Sequence, residues 1–257
     1  MSFDATRYDF CGLVSRIFAD QLQSLDGPPA LARLHKTEAG RRELGFLSSA
    51  DRWAAVGRLE YSKELDEATR YGCGAFNRNF KASPLRAEFL ALYERFVAEV
   101  IAPALGSSDS LVYQAEPVFR VFLPGHLCVG PRHTDASYHA QPNELNYWVP
   151  LTNAFGSNSL QVESAPGAAD FEPITCGAGT MYRFRGNECE HFTELNVSGA
   201  TRVSFDFRVI RAQELSECPV PPAPTDASVK GAAAYFSVGR YYKRLGDAHA
   251  VVFAGAS

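Results

Sequence analysis

The 257-residue sequence lacks any apolar run approaching the roughly 20 residues that a membrane-spanning helix requires. It also lacks a basic cluster, and its 25 lysines and arginines are outnumbered by 29 aspartates and glutamates, giving a formal net charge of −4. A protein that binds a phosphate backbone needs an excess of positive charge on one surface. We therefore expect neither a membrane nor a nucleic acid as a partner.

Closely spaced cysteines are absent as well. The six cysteines are spread over the chain without a C-x-x-C pair, and a chain of this length does not need disulfides to be stable. The first residues, MSFDATRYDFCGLVSRIF, place Asp4, Arg7 and Asp9 where a secretion signal needs uninterrupted apolar residues. We expect reduced thiols and a cytoplasmic protein without a secretion signal.

The composition is that of a globular protein, with 46% hydrophobic and 21% charged residues and no internal repeat. The length allows one or two domains, and one core is the simpler expectation. We predict a single domain over 1–257, built from a mainly helical layer at 1–106, a β-rich core at 107–212 and a C-terminal extension at 213–257.

The helical part contains one strongly patterned segment. Ser83 is a good N-cap and Pro84 suits the first helical position, so a helix is predicted to start here and to end at Pro103 and Gly106. Its predicted apolar face consists of Leu85, Phe89, Leu92, Phe96 and Val100. Weaker helical periodicity marks 4–23 and 49–60.

After the helical part, the sequence changes to short segments rich in β-branched and aromatic residues. These segments predict strands at 111–115, 117–123, 144–151, 158–163, 179–184, 189–195 and 201–210. Short strands at this spacing are typical of a sandwich or a barrel. A proline-rich connector at 219–224 then precedes an aromatic tail at 235–242, which we expect to pack back onto the body.

Apolar and polar residues alternate in the segment 201–210, TRVSFDFRVI. One face consists of Val203, Phe205, Phe207 and Val209, and the other of Arg202, Ser204, Asp206 and Arg208. A surface strand with a solvated polar face commonly shows this alternation. A barrel with helices on its apolar outside and a site on its polar inside gives the same pattern.

Residues suited to metal chemistry occur in Pro131-Arg132-His133-Thr134-Asp135. In an extended segment residues i and i+2 point the same way, so His133 and Asp135 offer two ligands on one face. Far downstream, His191 offers a third ligand beside a predicted strand. Two imidazoles and one carboxylate form the facial triad of non-haem Fe(II) enzymes, which leaves adjacent coordination positions open.

These three residues could also have roles that involve no iron. The first two could lie in a polar surface loop, and the third could be a buried histidine with ordinary hydrogen bonds. A zinc site formed by His126, Cys128 and His139 is a further alternative for this region, although the spacing typical of zinc ligands is missing.

Between about Phe119 and Ile210, several motifs follow one another in a distinctive order. They are FRVFLPG, RHTD, LNYWVPLTNAFGSNSLQVESAPG, GAGTMYRF, and then His191 followed by ELNVSGATRVS. Each motif alone is weak, but the whole series is hard to produce by chance. The series resembles the Fe(II)- and 2-oxoglutarate-dependent oxygenases, in the phytanoyl-CoA dioxygenase-like branch that includes the StrG-like group of streptomycin biosynthesis.

The resemblance implies a mainly β fold with α-helices, in which a double-stranded β-helix (jelly-roll, cupin-like) core carries a helical N-terminal layer. It implies Fe(II) as cofactor, 2-oxoglutarate and O₂ as co-substrates, and His133, Asp135 and His191 as iron ligands. Arg202 would bind the distal carboxylate of 2-oxoglutarate through its fixed fork of donors, and Ser204 would support it.

Several further residues are candidates for this pocket. Asn146 is expected to bind the cofactor, because a buried amide needs polar partners. The candidates for substrate contact are Gln114, Arg120, His139, Trp148 and Arg208. Packing is the alternative role for Trp148, and a neighbouring carboxylate is the alternative partner for the arginines.

The resemblance also suggests what the enzyme acts on. It implies hydroxylation of a small polar metabolite, such as an amino acid or an aminocyclitol-type intermediate of natural-product biosynthesis. Desaturation, cyclisation and a carrier-bound substrate are alternatives within the same chemistry. A metal- or ligand-binding protein without catalysis is the alternative of a different class, and the oligomeric state is left open.

Overall fold

The computed structural model describes residues 1–27, 30–46, 74–106, 110–125, 132–138, 140–215 and 236–246. Within them the chain is mainly antiparallel sheet with some helices, as the sequence predicts. Some predicted features lie outside the described residues. These are the helix at 49–60, the proline-rich connector, and His126, Cys128 and His139.

Helices make up most of the described N-terminal residues. They are α1 (Phe10–Ile17), α2 (Ala19–Gln23), α3 (Glu38–Phe46), α4 (Gly74–Ala82), α5 (Arg86–Phe96) and α6 (Ala102–Ala104), and short 3-10 turns cover Leu31–Lys36, Asp135–Tyr138, Gly156–Asn158 and Ala212–Glu214. Asp9 caps α1, because its carboxylate accepts a hydrogen bond from the Gly12 N–H at 2.7 Å. In the part of the chain that the structure describes, no helix is long and apolar enough to cross a membrane.

The helix predicted from Ser83 exists but begins later, at Arg86. Ser83 caps a tight turn instead, since its Oγ accepts a hydrogen bond from the Leu85 N–H at 3.2 Å. A π-helical turn at Val97–Ile101 follows α5, and its wider winding shifts which side chains face inward. The fully buried residues are Phe89, Tyr93, Phe96, Val97 and Ile101, whereas Leu85, Leu92 and Val100 are only partly buried.

Two antiparallel sheets form the rest of the described structure. The strands are β1 (Leu111–Gln114), β2 (Val118–Phe122), β3 (Leu145–Pro150), β4 (Gln161–Val162), β5 (Glu172–Pro173), β6 (Tyr182–Phe184), β7 (His191–Phe192), β8 (Arg202–Arg211) and β9 (Tyr242–Arg244). The larger sheet has the order β6-β3-β8-β1-β9, with β2 also paired to β8, and the smaller has the order β5-β4-β7. All seven predicted strands are present, mostly shorter than predicted, while β5 and β9 were not predicted.

The long strand β8 organises the larger sheet. β3 pairs along one edge, while β2 and β1 divide the other edge between them. The apolar face of β8 packs against the helices, with the Phe205 ring 4.8 Å from Phe10 and the Phe207 ring 5.1 Å from Tyr93 between centroids. The polar residues alternate with these and lie on the opposite side of the sheet. Helices therefore cover the apolar face, which is one part of the second interpretation of the alternation.

The aromatic tail packs back on the body, as predicted, in its described part. β9 pairs with β1, which places Tyr242 opposite Gln114. Tyr242 is fully buried against Val112 and Ile210. Its hydroxyl donates a hydrogen bond to the carboxylate of Glu144, the residue just before β3. The C-terminal strand thereby closes one end of the sheet near the polar face of β8.

Candidate metal centre

His133 and His191 lie side by side because their backbones form an antiparallel bridge between two distant segments. The His191 N–H donates to the His133 carbonyl oxygen at 2.9 Å, and the His133 N–H donates back at 3.3 Å. The two imidazole rings are consequently 4.5 Å apart between centroids. A short backbone ladder thus brings together two side chains that the sequence separates widely.

Asp135 reaches the same point, but not from the extended segment that the sequence predicts. It is the first residue of the 3-10 turn Asp135–Tyr138, and its N–H donates to the Gly186 carbonyl oxygen at 2.7 Å. Its Oδ1 lies 3.6 Å from His191 Nε2 and 3.9 Å from His133 Nε2. One ligand atom from each of the three residues lies within 4.8 Å of the others, so the three could hold a metal ion.

The tautomer of His191 suits metal binding. Its Nδ1 lies 3.1 Å from the carbonyl oxygen of Cys189, which can only accept a hydrogen bond. Nδ1 therefore carries the proton, and the Nε2 lone pair is directed towards Asp135. Orientation of a ligating imidazole by a hydrogen bond to its other nitrogen is a general feature of metal sites.

The second oxygen of Asp135 is held by two side chains of the larger sheet. Asn146 Nδ2 donates to Oδ2 at 2.6 Å, and Arg208 donates to the same oxygen from Nη2 at 3.1 Å and from Nε at 3.3 Å. Burial disfavours the ionised form of Asp135. The charge of Arg208 and the hydrogen bond from Asn146 outweigh burial and hold the pKa of Asp135 well below its usual range.

Gly186 connects these groups and leaves no room for a side chain. Its N–H donates to Asn146 Oδ1 at 3.2 Å, which turns the Asn146 amino group towards Asp135. A Cβ atom at residue 186 would lie 2.6 Å from Asn146 Nδ2. Gly186 was not among the predicted site residues, although a glycine between the GAGTMYRF motif and the distal histidine is a visible signal.

Arg202 lies on the polar face of β8 and is 1% exposed. Its Nη1 donates to Ser204 Oγ at 2.7 Å, and its guanidinium stacks over Phe122 and Trp148 at 5.0 and 5.3 Å from the ring centroids. These contacts fix the fork of donors in a single orientation. The structure therefore places the predicted pair Arg202 and Ser204 together.

A cavity of about 40 Å³ joins the histidines to Arg202. Its described lining consists of Arg120, His133, Asn146, Trp148, Leu160, Phe184, His191, Thr193, Arg202, Asp206 and Arg208. Thr193 was not predicted from the sequence. Its buried hydroxyl makes no hydrogen bond with other described residues. The sequence could have indicated Thr193 as a site residue, because it lies two residues after His191 and shares its side of an extended segment.

The residues predicted to contact substrate have different surroundings. Arg120 and Trp148 line the cavity, and Arg120 Nε donates to Asp206 Oδ1 at 2.7 Å. Arg208 lines the cavity too, and its three nitrogens donate to Asp135 and Asp206, which are carboxylate partners of the kind given as the alternative for the arginines. Gln114 is buried outside the described lining, with its amide donating to the Glu116 carbonyl oxygen.

No family model matches the chain. Over 180 residues the chain is 31% identical to the streptomycin biosynthesis protein StrG of Streptomyces griseus, covering 70% of this chain and 78% of StrG.

Two solved structures illustrate the structural comparison. The ThoJ–Ni complex, a non-heme monooxygenase, is 13% identical with a TM-score of 0.36, covering 78% of this chain and 69% of that chain. SnoK, a non-heme alpha ketoglutarate dependent carbocyclase from nogalamycin biosynthesis, is 14% identical with a TM-score of 0.37, covering 77% and 83%. Because these TM-scores are low, the relationship of the chain to known proteins rests on its sequence similarity to StrG.

Proposed function

The chain belongs to the StrG-like branch of the Fe(II)- and 2-oxoglutarate-dependent oxygenases, and we propose that it hydroxylates a small polar metabolite. The observation that carries the proposal is the convergence of the His133, Asp135 and His191 cluster with Arg202 on one cavity. The polar face of β8 and the two sheets support a double-stranded β-helix as the scaffold of this site.

The donor set fits an Fe(II) ion. Two imidazoles and the carboxylate of Asp135 converge within 4.8 Å, and the charge of Arg208 together with the hydrogen bond from Asn146 favours the ionised carboxylate. This set is the facial triad that leaves three adjacent positions of an octahedral metal for other ligands. Iron at His133, Asp135 and His191 would couple oxidative decarboxylation of 2-oxoglutarate, to succinate and CO₂, to oxidation of the substrate.

Another part of the cavity lining fits a carboxylate. Arg202 supplies a positive charge with a fixed orientation, and Ser204 holds one of its nitrogens. The Thr193 hydroxyl is buried in the lining and leaves a donor for an incoming oxygen atom. We assign Arg202 and Thr193 to the distal carboxylate of 2-oxoglutarate and Ser204 to the support of Arg202.

The substrate class follows from the polar remainder of the cavity. Arg120 and Asp206 form a buried ion pair in the lining, next to the aromatic wall of Trp148. Such a wall suits a small molecule with several polar or charged groups better than an apolar one. The relative StrG is named for streptomycin biosynthesis, which favours an amino acid or an aminocyclitol-type intermediate of natural-product biosynthesis.

Release of succinate tests the proposed function. Wild-type protein with Fe(II), 2-oxoglutarate, O₂ and a panel of polar metabolites is expected to release succinate above its basal rate with the correct substrate. The product should gain one oxygen atom that is labelled by ¹⁸O₂. Asp135→Asn is expected to remove turnover, whereas Asp170→Asn, at an exposed carboxylate, is the matched control. Succinate release that is equal in Asp135→Asn and wild type would contradict the proposed site.

A further inference from the structure

We propose that Arg208, assisted by Asn146, is a positioning residue that restricts Asp135 to one metal-binding oxygen. The inference rests on the proposed function, because it concerns how the same carboxylate presents itself to the metal. It gives Arg208 a role other than the substrate contact expected from the sequence. The assignment is based on the two oxygens of the Asp135 carboxylate, which have different surroundings.

The two oxygens of Asp135 are used differently. Oδ1 faces the two Nε2 atoms, at 3.6 Å from His191 and 3.9 Å from His133. Oδ2 accepts three hydrogen bonds, at 2.6 Å from Asn146 and at 3.1 and 3.3 Å from Arg208. An ionised carboxylate offers about two lone-pair sites on each oxygen, so these donors occupy the full capacity of Oδ2. A cation that approaches the cluster therefore finds open lone pairs on Oδ1.

Charge favours the same outcome. A divalent cation bound to both oxygens of Asp135 would have to approach the guanidinium that already contacts Oδ2. Two positive charges in a buried site repel each other strongly. Arg208 thus makes the second oxygen unfavourable for the metal while leaving the first oxygen unobstructed.

The arginine is itself held in place from behind. Arg208 Nη1 donates to Asp206 Oδ2 at 2.6 Å, and the other oxygen of Asp206 accepts from Arg120 at 2.7 Å. The side chains of these three residues are at most 16% exposed. The other donor to Asp135 Oδ2, the Asn146 amide, is held by the Gly186 N–H. Both donors to Oδ2 are therefore part of a rigid arrangement rather than mobile side chains.

The number of coordination positions gives this restriction a purpose. Two histidines and a carboxylate bound through one oxygen fill three of the about six positions of an octahedral ion. A carboxylate bound through both oxygens fills a fourth position. The positions left would then be too few for a two-point ligand and O₂ together, and the second oxygen of Asp135 would compete with the two-point ligand for adjacent positions. We therefore expect loss of Arg208 to weaken the binding of 2-oxoglutarate more than the binding of the metal.

Calorimetry of the full-length protein separates these effects. In Arg208→Met the affinity for Mn(II) alone should equal or exceed the wild-type value, because a competing positive charge is removed. The affinity of the Mn(II)-loaded variant for 2-oxoglutarate should fall by about tenfold or more. Arg211→Met is the matched control, since Arg211 lies on the same strand but outside the described cavity lining and pairs with Glu214. It should change neither affinity by more than about twofold.

The coordination mode gives a readout that a purely structural role would not change. In a crystal structure of Mn(II)-loaded Arg208→Met, both oxygens of Asp135 should contact the metal, against one in the wild type. Arg208→Lys should restore one-oxygen binding in part. One-oxygen binding in Arg208→Met with wild-type affinity for 2-oxoglutarate would overturn the proposal, as would an equal loss in Arg211→Met.

Two further results distinguish the role of Arg208 from the proposed function. If Arg208→Met does not fold, Asn146→Ala replaces it and should show the same change in coordination to a smaller degree. An unchanged coordination in Asn146→Ala would then overturn the proposal. If wild-type protein binds Mn(II) but not 2-oxoglutarate, the proposed function fails, and the coordination mode still decides the role of Arg208.

Discussion

The two faces of β8 contain alternate residues of one strand but have opposite tasks. The face formed by Val203, Phe205, Phe207 and Val209 is fully buried against the helices and contributes to the core. The face formed by Arg202, Ser204, Asp206 and Arg208 holds hydrogen-bonded charges beside the candidate metal centre. The two-residue period of a strand thus separates stability from chemistry, and substitutions on the two faces should have different consequences.

The largest effect is expected on the apolar face. Phe205→Ala removes a ring that contacts Phe10 and Phe89, and should lower the free energy of unfolding by about 3–5 kcal/mol. The Mn(II) affinity of the folded fraction should stay at the wild-type value, because the ring points away from the cavity. Urea unfolding and Mn(II) titration measure the two quantities. A folded Phe205→Ala protein with weakened Mn(II) binding would show that the faces are coupled.

A second prediction concerns the buried carboxyl group beside the polar face. Burial raises the pKa of Glu144 to about 7 from the ordinary 4.5, against the charge of Arg208 and the hydrogen bond from Tyr242. Folding therefore favours the protonated form, and the stability that this form contributes is lost as the pH rises from 4.5 through about 7. The loss amounts to about 3 kcal/mol once Glu144 is ionised.

Glu144→Gln tests this prediction because glutamine is nearly isosteric and does not titrate. The free energy of unfolding of wild type should fall relative to that of Glu144→Gln between about pH 5 and pH 8. The difference between the two curves isolates Glu144 from other titrating groups. Parallel curves over this range would show that Glu144 does not change its protonation on folding.

The third prediction, on the polar face, separates 2-oxoglutarate binding from stability. Arg202→Met keeps the packing against Phe122 and Trp148 but removes the charge. The affinity for 2-oxoglutarate should fall about ten- to a hundredfold, while Mn(II) affinity changes little. Arg185→Met, at an exposed arginine paired with Glu188, is the matched control. Equal affinities in Arg202→Met and the control would remove Arg202 from the co-substrate site.

The smallest effect is expected for a single hydroxyl. Thr193→Val preserves shape and removes a buried group that has no hydrogen bond in the described structure. The free protein should be slightly more stable, by up to about 1 kcal/mol, and 2-oxoglutarate should bind a few-fold less tightly. Thermal unfolding with and without 2-oxoglutarate measures both changes. A gain in stability without any loss of affinity would indicate that Thr193 only lines the cavity.

Features with a short sequence period were predictable. The alternation along β8 shows which residues share a face, and the order of motifs implies that the histidines and Asp135 form one site. The alternation alone did not show which face of β8 is covered by the helices and which faces the site. This orientation depends on the helices that cover Phe205 and Phe207, which are far away in sequence.

Features that depend on register or on turns were not predictable. Asp135 joins the histidines from a 3-10 turn instead of an extended segment. The role of Arg208 depends on its position opposite Asn146 in the β3–β8 pairing, which no local pattern encodes. β9 is likewise separated from its partner β1 by more than a hundred residues of sequence. Pairing over such distances is decided by packing rather than by local propensity.

In the proposed function, the cluster of His133, Asp135 and His191 binds Fe(II) and Arg202 recruits 2-oxoglutarate to it. Anaerobic addition of 2-oxoglutarate to the Fe(II)-loaded protein, followed by visible charge-transfer absorption, tests both parts at once. Wild type and Val203→Ala should develop the same band with one equivalent of 2-oxoglutarate, Arg202→Met should need far more, and Asp135→Asn should show none. Absence of the band in wild type, or an equal band in Asp135→Asn, would contradict the account.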